Sequence, residues 1–300
     1  MIDYKMILLP FLISVILTPL VKQYSIYCGA YAKENKRTVH HGKISRIGGV
    51  AIYLAFIITM AIFVKADRQI KGLVIGSSIM FFTGLIDDLI DIKPLVKLTL
   101  EVIAAMVLIY FGVSVDIIRL PLGIQIDTGI ISFIFTIIWV AGITNAVNLI
   151  DGLDGLATGL SMVAIAPFII YAIMIKDYTI ASYATAMVGA LLGFMYFNYH
   201  PARIFMGDVG SLGLGGFLAI LAILTKQELL LIVVGGVFLM ETLSVIIQVV
   251  SFKTRGKRVF KMAPIHHHFE MLGWSEQQVT ISFWFIGFIC GIIAIVIGVM

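Results

Sequence analysis

NAVNLIDGLDGLATG, residues 145–159, separates two apolar runs each long enough to cross a bilayer, yet it holds two Asn, two Asp and three Gly. Asn145, Asn148, Asp151 and Asp154 recur at every third position. If the first run stays helical through Asp151, then Asn145, Asn148 and Asp151 line one side of its end. Gly152 and Gly155 then let the chain reverse, and Asp154 is placed to cap the next helix. A lone Asp-Gly pair marks only a turn. Four polar side chains at membrane depth are a different matter, because each is costly there without a partner. The stretch predicts two membrane helices joined by a reversal that carries a polar site.

Composition agrees with that reading. Of 300 residues, 60% are hydrophobic and 13% charged, and the mean hydropathy is +1.07, which excludes an ordinary soluble domain. The chain opens on an apolar stretch with one early Lys (Lys5), two prolines (Pro10, Pro19) and no small-residue cleavage signature, so it reads as a retained span. Cys28 and Cys290 suggest neither a disulfide nor a metal pair. Runs of roughly twenty apolar residues predict about ten spans, at Met6–Val21, Ile47–Val64, Gly72–Ile86, Leu95–Val113, Gly129–Thr144, Leu156–Ile175, Ile180–Phe197, Val209–Thr225, Leu229–Val250 and Val279–Val299. No soluble domain or inverted repeat interrupts them, so residues 1–300 read as one all-α polytopic domain.

Loops after odd-numbered spans, with Lys97 at the start of span four, hold 14 of the 21 Lys and Arg residues, Lys33, Lys36, Arg37 and Lys43 among them. That bias places the odd loops in the cytoplasm and both termini outside. The same loops hold the chemistry. Asp87, Asp88 and Asp91 end span three, and a continuing helix would set them on one side, where crowded carboxylates suit Mg²⁺ shared with substrate phosphates. FMGDVGS (Phe205 to Ser211) opens span eight, where a Gly-rich entry admits an anion and Asp208 can hold a metal, or where Asp208 or Ser211 simply caps the helix. Gly213, Gly215 and Gly216 beyond it suit close helix packing. In APIHHHFE, consecutive His266, His267 and His268 would point 100° apart on a helix, which disfavours a shared Zn²⁺ and suits hydrogen bonding to phosphate oxygens. The even loops carry only scattered charges (Asp67, Asp116, Asp127, Asp177) that read as solvated turns. Carboxylates, amides, Gly-rich turns and imidazoles on one face form the inventory of phosphoryl transfer between a water-soluble donor and a lipid-borne acceptor.

NAVNLIDGLDGLATG, FMGDVGSLGLGG, GGVFLMETLSVIIQVVSFKTRGKRVF and above all MAPIHHHFEMLGW resemble the polyprenyl-phosphate N-acetylhexosamine-1-phosphate transferases, in particular their muramoyl-pentapeptide branch. The resemblance covers nearly the whole chain. It implies a Mg²⁺-dependent exchange in the bacterial cytoplasmic membrane: undecaprenyl phosphate plus UDP-MurNAc-pentapeptide gives lipid I plus UMP, with no nucleic acid involved and a homodimer expected. By the same resemblance Asp87 and Asp88 match paired catalytic aspartates and Asp208 the metal aspartate. Asp151 and Asp154 match acidic residues of the nucleotide pocket, with Asn145, Asn148, Gly152 and Leu153 beside them. Phe205 matches an aromatic that stacks on uracil, Asn198 and the three His match polar groups of the cleft, and Lys97 matches a lysine facing the phosphates. One departure stands out. Where that branch carries a Lys-x-Gly-Thr-Pro-Thr-Met-Gly-Gly pattern before span two, this chain reads HHGKISRIGG (His40 to Gly49), leaving Lys43 and Arg46 as candidate substitutes. That loop and GLIDDLIDIKPLVKL look closer to transferases that load N-acetylglucosamine-1-phosphate, the alternative reading. An ion or solute transporter is the remote one, since the acids gather at span ends and not at mid-span.

Overall fold

A computed structural model describes residues 3–31, 44–64, 67–119 and 124–299. Lys33, Lys36, Arg37 and Lys43 lie outside the described residues. Apolar runs become helices because a backbone removed from water must satisfy its own N–H and C=O groups. In chain order these are α1 (Lys5–Cys28), α2 (Gly49–Phe63), α3 (Arg68–Ile90), α4 (Pro94–Tyr110), α5 (Ser132–Ile150), α6 (Leu156–Met174), α7 (Tyr178–Asn198), α8 (Gly207–Thr225), α9 (Glu228–Val234), α10 (Gly236–Arg255), α11 (Ile265–Glu270) and α12 (Glu276–Val299). Among the described residues, eight helices are long and apolar enough to cross a membrane, all but α2, α4, α9 and α11. Outward-facing side chains such as Ile16 and Phe285, 62% and 63% exposed, are aliphatic or aromatic, as lipid contact requires.

Of the ten expected spans, the second and fourth are the shorter helices α2 and α4, and two further features depart from the sequence reading. The expected ninth span, Leu229–Val250, is two helices: α9 stops at Gly235, whose N–H bonds to the Leu231 carbonyl at 2.8 Å, and α10 begins at Gly236. Hydropathy runs unbroken across the joint, but paired glycines are poor helix formers. Between α4 and α5 the chain forms a small antiparallel hairpin, β1 (Ile117–Arg119) and β2 (Gln125–Asp127), with Ile118 opposite Ile126. The even-loop acids are also more than solvated charges. Asp67 and Asp177 cap α3 and α7, Asp127 accepts the Gly129 N–H, and Asp116 pairs with Lys226.

Contacts sort the loops into two ends. At one, Arg68 reaches the Tyr110 carbonyl and Lys226 reaches the Ser114 carbonyl. At the other, Gly48 and Gly49 donate to the carbonyls of Phe205 and Met206 (3.0 and 2.9 Å), and Phe205 donates to Ser45 at 2.9 Å. The odd loops thus meet each other, as expected.

Helix α8 sits at the centre: 78% of its most apolar window is buried, against 22% for α1. A helix apolar all round belongs inside, and its glycines admit close neighbours. A Cβ on Gly215 would lie 2.6 Å from Thr144 of α5, and one on Gly216 2.9 Å from Met80 of α3. Its first residue, Gly207, has a φ of +71°, and the space a side chain would fill is occupied by the Arg46 carbonyl. The start of α8 is therefore pinned beneath the segment 45–49 and against the end of α3.

Candidate functional site

Asp208 is the second residue of α8, and its side chain neither caps the helix nor faces lipid. Its Oδ2 lies 2.6 Å from Lys97 Nζ, and its Oδ1 accepts from Asn148 Nδ2 at 2.9 Å. Asn148 also donates to Ser211 Oγ at 2.8 Å. Lys97, in the first turn of α4, bridges to Asp87 Oδ2 at 2.7 Å. One ammonium is held between carboxylates from α3 and α8.

The adjacent pair Asp87–Asp88 divides its duties. Asp88 has a fully buried side chain whose Oδ2 accepts the Val209 N–H (2.9 Å) and whose Oδ1 accepts Arg46 Nε (3.1 Å). Both of its oxygens are occupied in fastening α3 to the start of α8. Asp87 has one oxygen on the Ile92 N–H at 2.9 Å and turns the other to Lys97. Asp91 falls beyond the helix, in a left-handed conformation, with its Oδ1 3.6 Å from Arg46 Nη1. Arg46, one of the two candidate substitutes, thus joins the acidic cluster.

The 145–159 reversal completes the mouth. Helix α5 ends at Ile150, so Asp151 follows the helix instead of extending its face. Burial, together with the negative charges of Asp208 and Asp88, pushes the Asp151 carboxyl up to about 8. Gly155 turns the chain with a φ of +71° and starts α6 without a side-chain cap. The cap expected from Asp154 is therefore absent. Its Oδ2 instead accepts the Ala202 N–H at 2.8 Å and faces His200 Nδ1 at 3.0 Å, while its own N–H donates to Glu276 at 2.6 Å. Asn145 lies a turn deeper than Asn148 and donates to Glu101 Oε2 at 2.7 Å and to the Ala141 carbonyl at 2.8 Å. Asn198 is buried, accepting from Thr158 and donating to the Ile204 carbonyl, which shapes the loop leading to Phe205. Leu153 is buried in the core, and Phe205 is half-buried, its backbone bonded to Ser45 and Gly48.

The three histidines diverge, as their spacing predicts. His266 turns Nδ1 to Glu241 (3.0 Å), His267 to Glu270 (2.7 Å), and His268 accepts the Lys261 N–H (3.1 Å). His266 lies against the reversal: a Cβ on Gly152 would be 2.5 Å from its Nε2. Glu101, His200, Glu241 and Glu276 were not singled out from the sequence. Glu101 and Glu241 carried a usable signal, since each is an acid inside an otherwise apolar helix. Their partners are distant in sequence, so what they bind was not readable there.

Among the described residues, two groups offer donors for a cation. Asp87 and Asp208 offer carboxylate oxygens already gathered around an ammonium. Asp154, His200 and Glu276 place one ligand atom each within 4.8 Å of one another, although hydrogen bonds among them account for that closeness.

Carboxylates, amides and a lysine converging at one end of a helical membrane bundle suit the class of integral-membrane transferases that handle phosphorylated substrates. Residues 70–226 match glycosyl transferase family 4. The chain is 40% identical to the phospho-N-acetylmuramoyl-pentapeptide-transferase of Bacillus subtilis (strain 168), with 98% of this chain and 97% of that protein aligned. It is 40% identical to the same transferase of Bacillus anthracis (strain A0248) and 41% to that of Bacillus cytotoxicus, with 96% of this chain and 95% of each relative covered. The chain belongs to glycosyl transferase family 4, in its phospho-N-acetylmuramoyl-pentapeptide-transferase branch.

Proposed function

We propose that this chain transfers phospho-MurNAc-pentapeptide from UDP-MurNAc-pentapeptide to undecaprenyl phosphate, giving lipid I and UMP for peptidoglycan synthesis. The observation that carries the chemistry is the Lys97 ammonium held 2.7 Å from Asp87 and 2.6 Å from Asp208. A site that gathers acids around one cation suits a second, divalent one. Hard oxygen donors fit Mg²⁺, which binds through one or two carboxylates and shares substrate phosphates. We assign Asp208 to the ion, with Asp87 beside it; when bound, Mg²⁺ supplies charge neutralisation for the diphosphate.

The chain's own residues do the rest. Lys97 offers a cation to the phosphate oxygens, and Asn148 fixes the rotamer of Asp208. An oxygen of the lipid phosphate attacks the sugar-bearing phosphorus, the bond from that phosphorus to the bridging oxygen breaks, and UMP leaves with the electron pair. A lipid phosphate is already largely ionised near neutral pH, so positioning and electrostatics outweigh proton removal by Asp87 or Asp88. The 151–154 turn and Phe205 form the nucleotide side, where the aromatic ring suits a flat base. His266, His267 and His268 face the sugar side. The unit is read as one domain over residues 1–300, in the bacterial cytoplasmic membrane, with this cleft toward the cytosol and the chain as a homodimer.

Purified protein given undecaprenyl phosphate and either UDP-MurNAc-pentapeptide or UDP-N-acetylglucosamine tests the substrate. UMP release is expected with the first alone. Turnover of only the simple sugar would move the chain to the N-acetylglucosamine-1-phosphate transferases.

A further inference from the structure

Glu241 lies in α10 with no solvent exposure, inside an apolar run, and its carboxylate is aimed at the histidine segment. Oε2 accepts the Ile265 N–H at 2.8 Å; Oε1 accepts the His266 N–H at 3.3 Å and faces His266 Nδ1 at 3.0 Å. An ionised carboxylate is only an acceptor, so the hydrogen of a neutral His266 resides on Nδ1. That leaves Nε2 as a bare lone pair. His266 is 1% exposed, and its Nε2 has no hydrogen-bond partner among the described residues. The ring edge points at exposed Gly152, next to Asp151, and the missing side chain lets Nε2 sit directly beneath that turn. The His267 ring lies 4.2 Å away, tilted by 58°, and has its own acid in Glu270. A buried acceptor without a donor, aimed at a substrate-lining turn, fits a group completed by the ligand.

We propose that Glu241 is a positioning residue: it locks His266 in the Nδ1–H tautomer and directs Nε2 across Gly152 to accept an N–H or O–H of the nucleotide-sugar. This rests on the reading of His266 as part of a UDP-sugar cleft. Glu241 itself touches no substrate and acts through His266 alone.

Two measurements test it. In UMP-release assays on the full chain, Glu241→Gln and His266→Ala are each expected to lower kcat/KM by about 10- to 100-fold. The double variant is expected to be no worse than His266→Ala, because coupled residues are non-additive. If Glu241→Gln slows the His266→Ala background by its full factor, Glu241 is merely structural and the proposal fails. The second readout needs no folded variant at Glu241. Imidazole ¹⁵N spectra of the wild type, with His266 assigned by its loss in His266→Ala, should show the Nδ1–H tautomer, and an Nε2–H form overturns the proposal. Wild-type turnover by His266→Ala would instead remove His266 from the cleft and sink the underlying reading.

Discussion

Asp87 and Asp88 are adjacent and chemically identical, and only their partners distinguish them. Asp88 serves the buried Val209 N–H and Arg46, whereas Asp87 serves the half-buried Ile92 N–H and the shared ammonium. Asp88→Ala is expected to destabilise the protein by about 1–3 kcal/mol, because it strands a buried N–H and a cation. Asp87→Ala should leave stability nearer to wild type and lower UMP release more specifically; thermal unfolding and turnover measured side by side check the contrast. Asp208→Asn is expected to cut UMP release at least about 100-fold with little loss of stability, since one cation ligand goes while the Asn148 contact can persist. Asp151 gives a pH signature. Burial and the charges of Asp208 and Asp88 push its folded-state carboxyl from the ordinary 3.8 up to about 8. Between those values the folded state binds the extra proton, so without divalent cation stability falls as pH rises and levels off above about 8. Unfolding temperature in EDTA should drop between pH 5 and 8, and Asp151→Asn should flatten that slope. An unchanged slope would show that Asp151 does not titrate there.

At the scale of elements, the site exists because backbones approach where glycine allows it. A Cβ on Gly84 of α3 would collide with the backbone of Asp208, and one on Gly207 with the Arg46 carbonyl. Gly84→Ala is therefore expected to push α3 from α8, pull Asp87 off Lys97, and lose most UMP release, while Gly142→Ala on α5, which meets nothing within 4 Å, should be silent. Equal activity of the two variants would refute that account of the α3–α8 contact. The elements also mark what could be read from residues alone. Hydropathy found the long helices, and the Gly213–Gly216 packing followed from residue size. The break at Gly235 escaped because an average over about twenty residues passes over one joint. The hairpin at 117–127 escaped because three-residue strands carry almost no periodic signal. The site was legible as a set of residues but not as a set of pairs: Asp154 looked like a cap because helix starts favour aspartate, yet tertiary contacts with Ala202 and His200 claimed it.

At the scale of the whole molecule, the two ends of the bundle differ in kind. One end gathers Arg46, Asp87, Asp88, Lys97, Asp151 and Asp208, with the basic α10–α11 connection alongside. The other holds helix caps, the hairpin and the Lys226–Asp116 pair. The proposed transfer joins a nucleotide made in the cytosol to a lipid phosphate at the bilayer surface, so it requires the acidic end to open inward. The excess of Lys and Arg in the loops on that end agrees with inward orientation. Single cysteines test it in a Cys28→Ser, Cys290→Ser background. Lys257→Cys, at an exposed position in the α10–α11 connection, should react with a membrane-impermeant maleimide only after the cells are opened. Gln125→Cys, exposed in the hairpin, should react from outside in intact cells. The reverse pattern would put the carboxylate pocket on the side that has no UDP-sugar, and the transfer could not run as written.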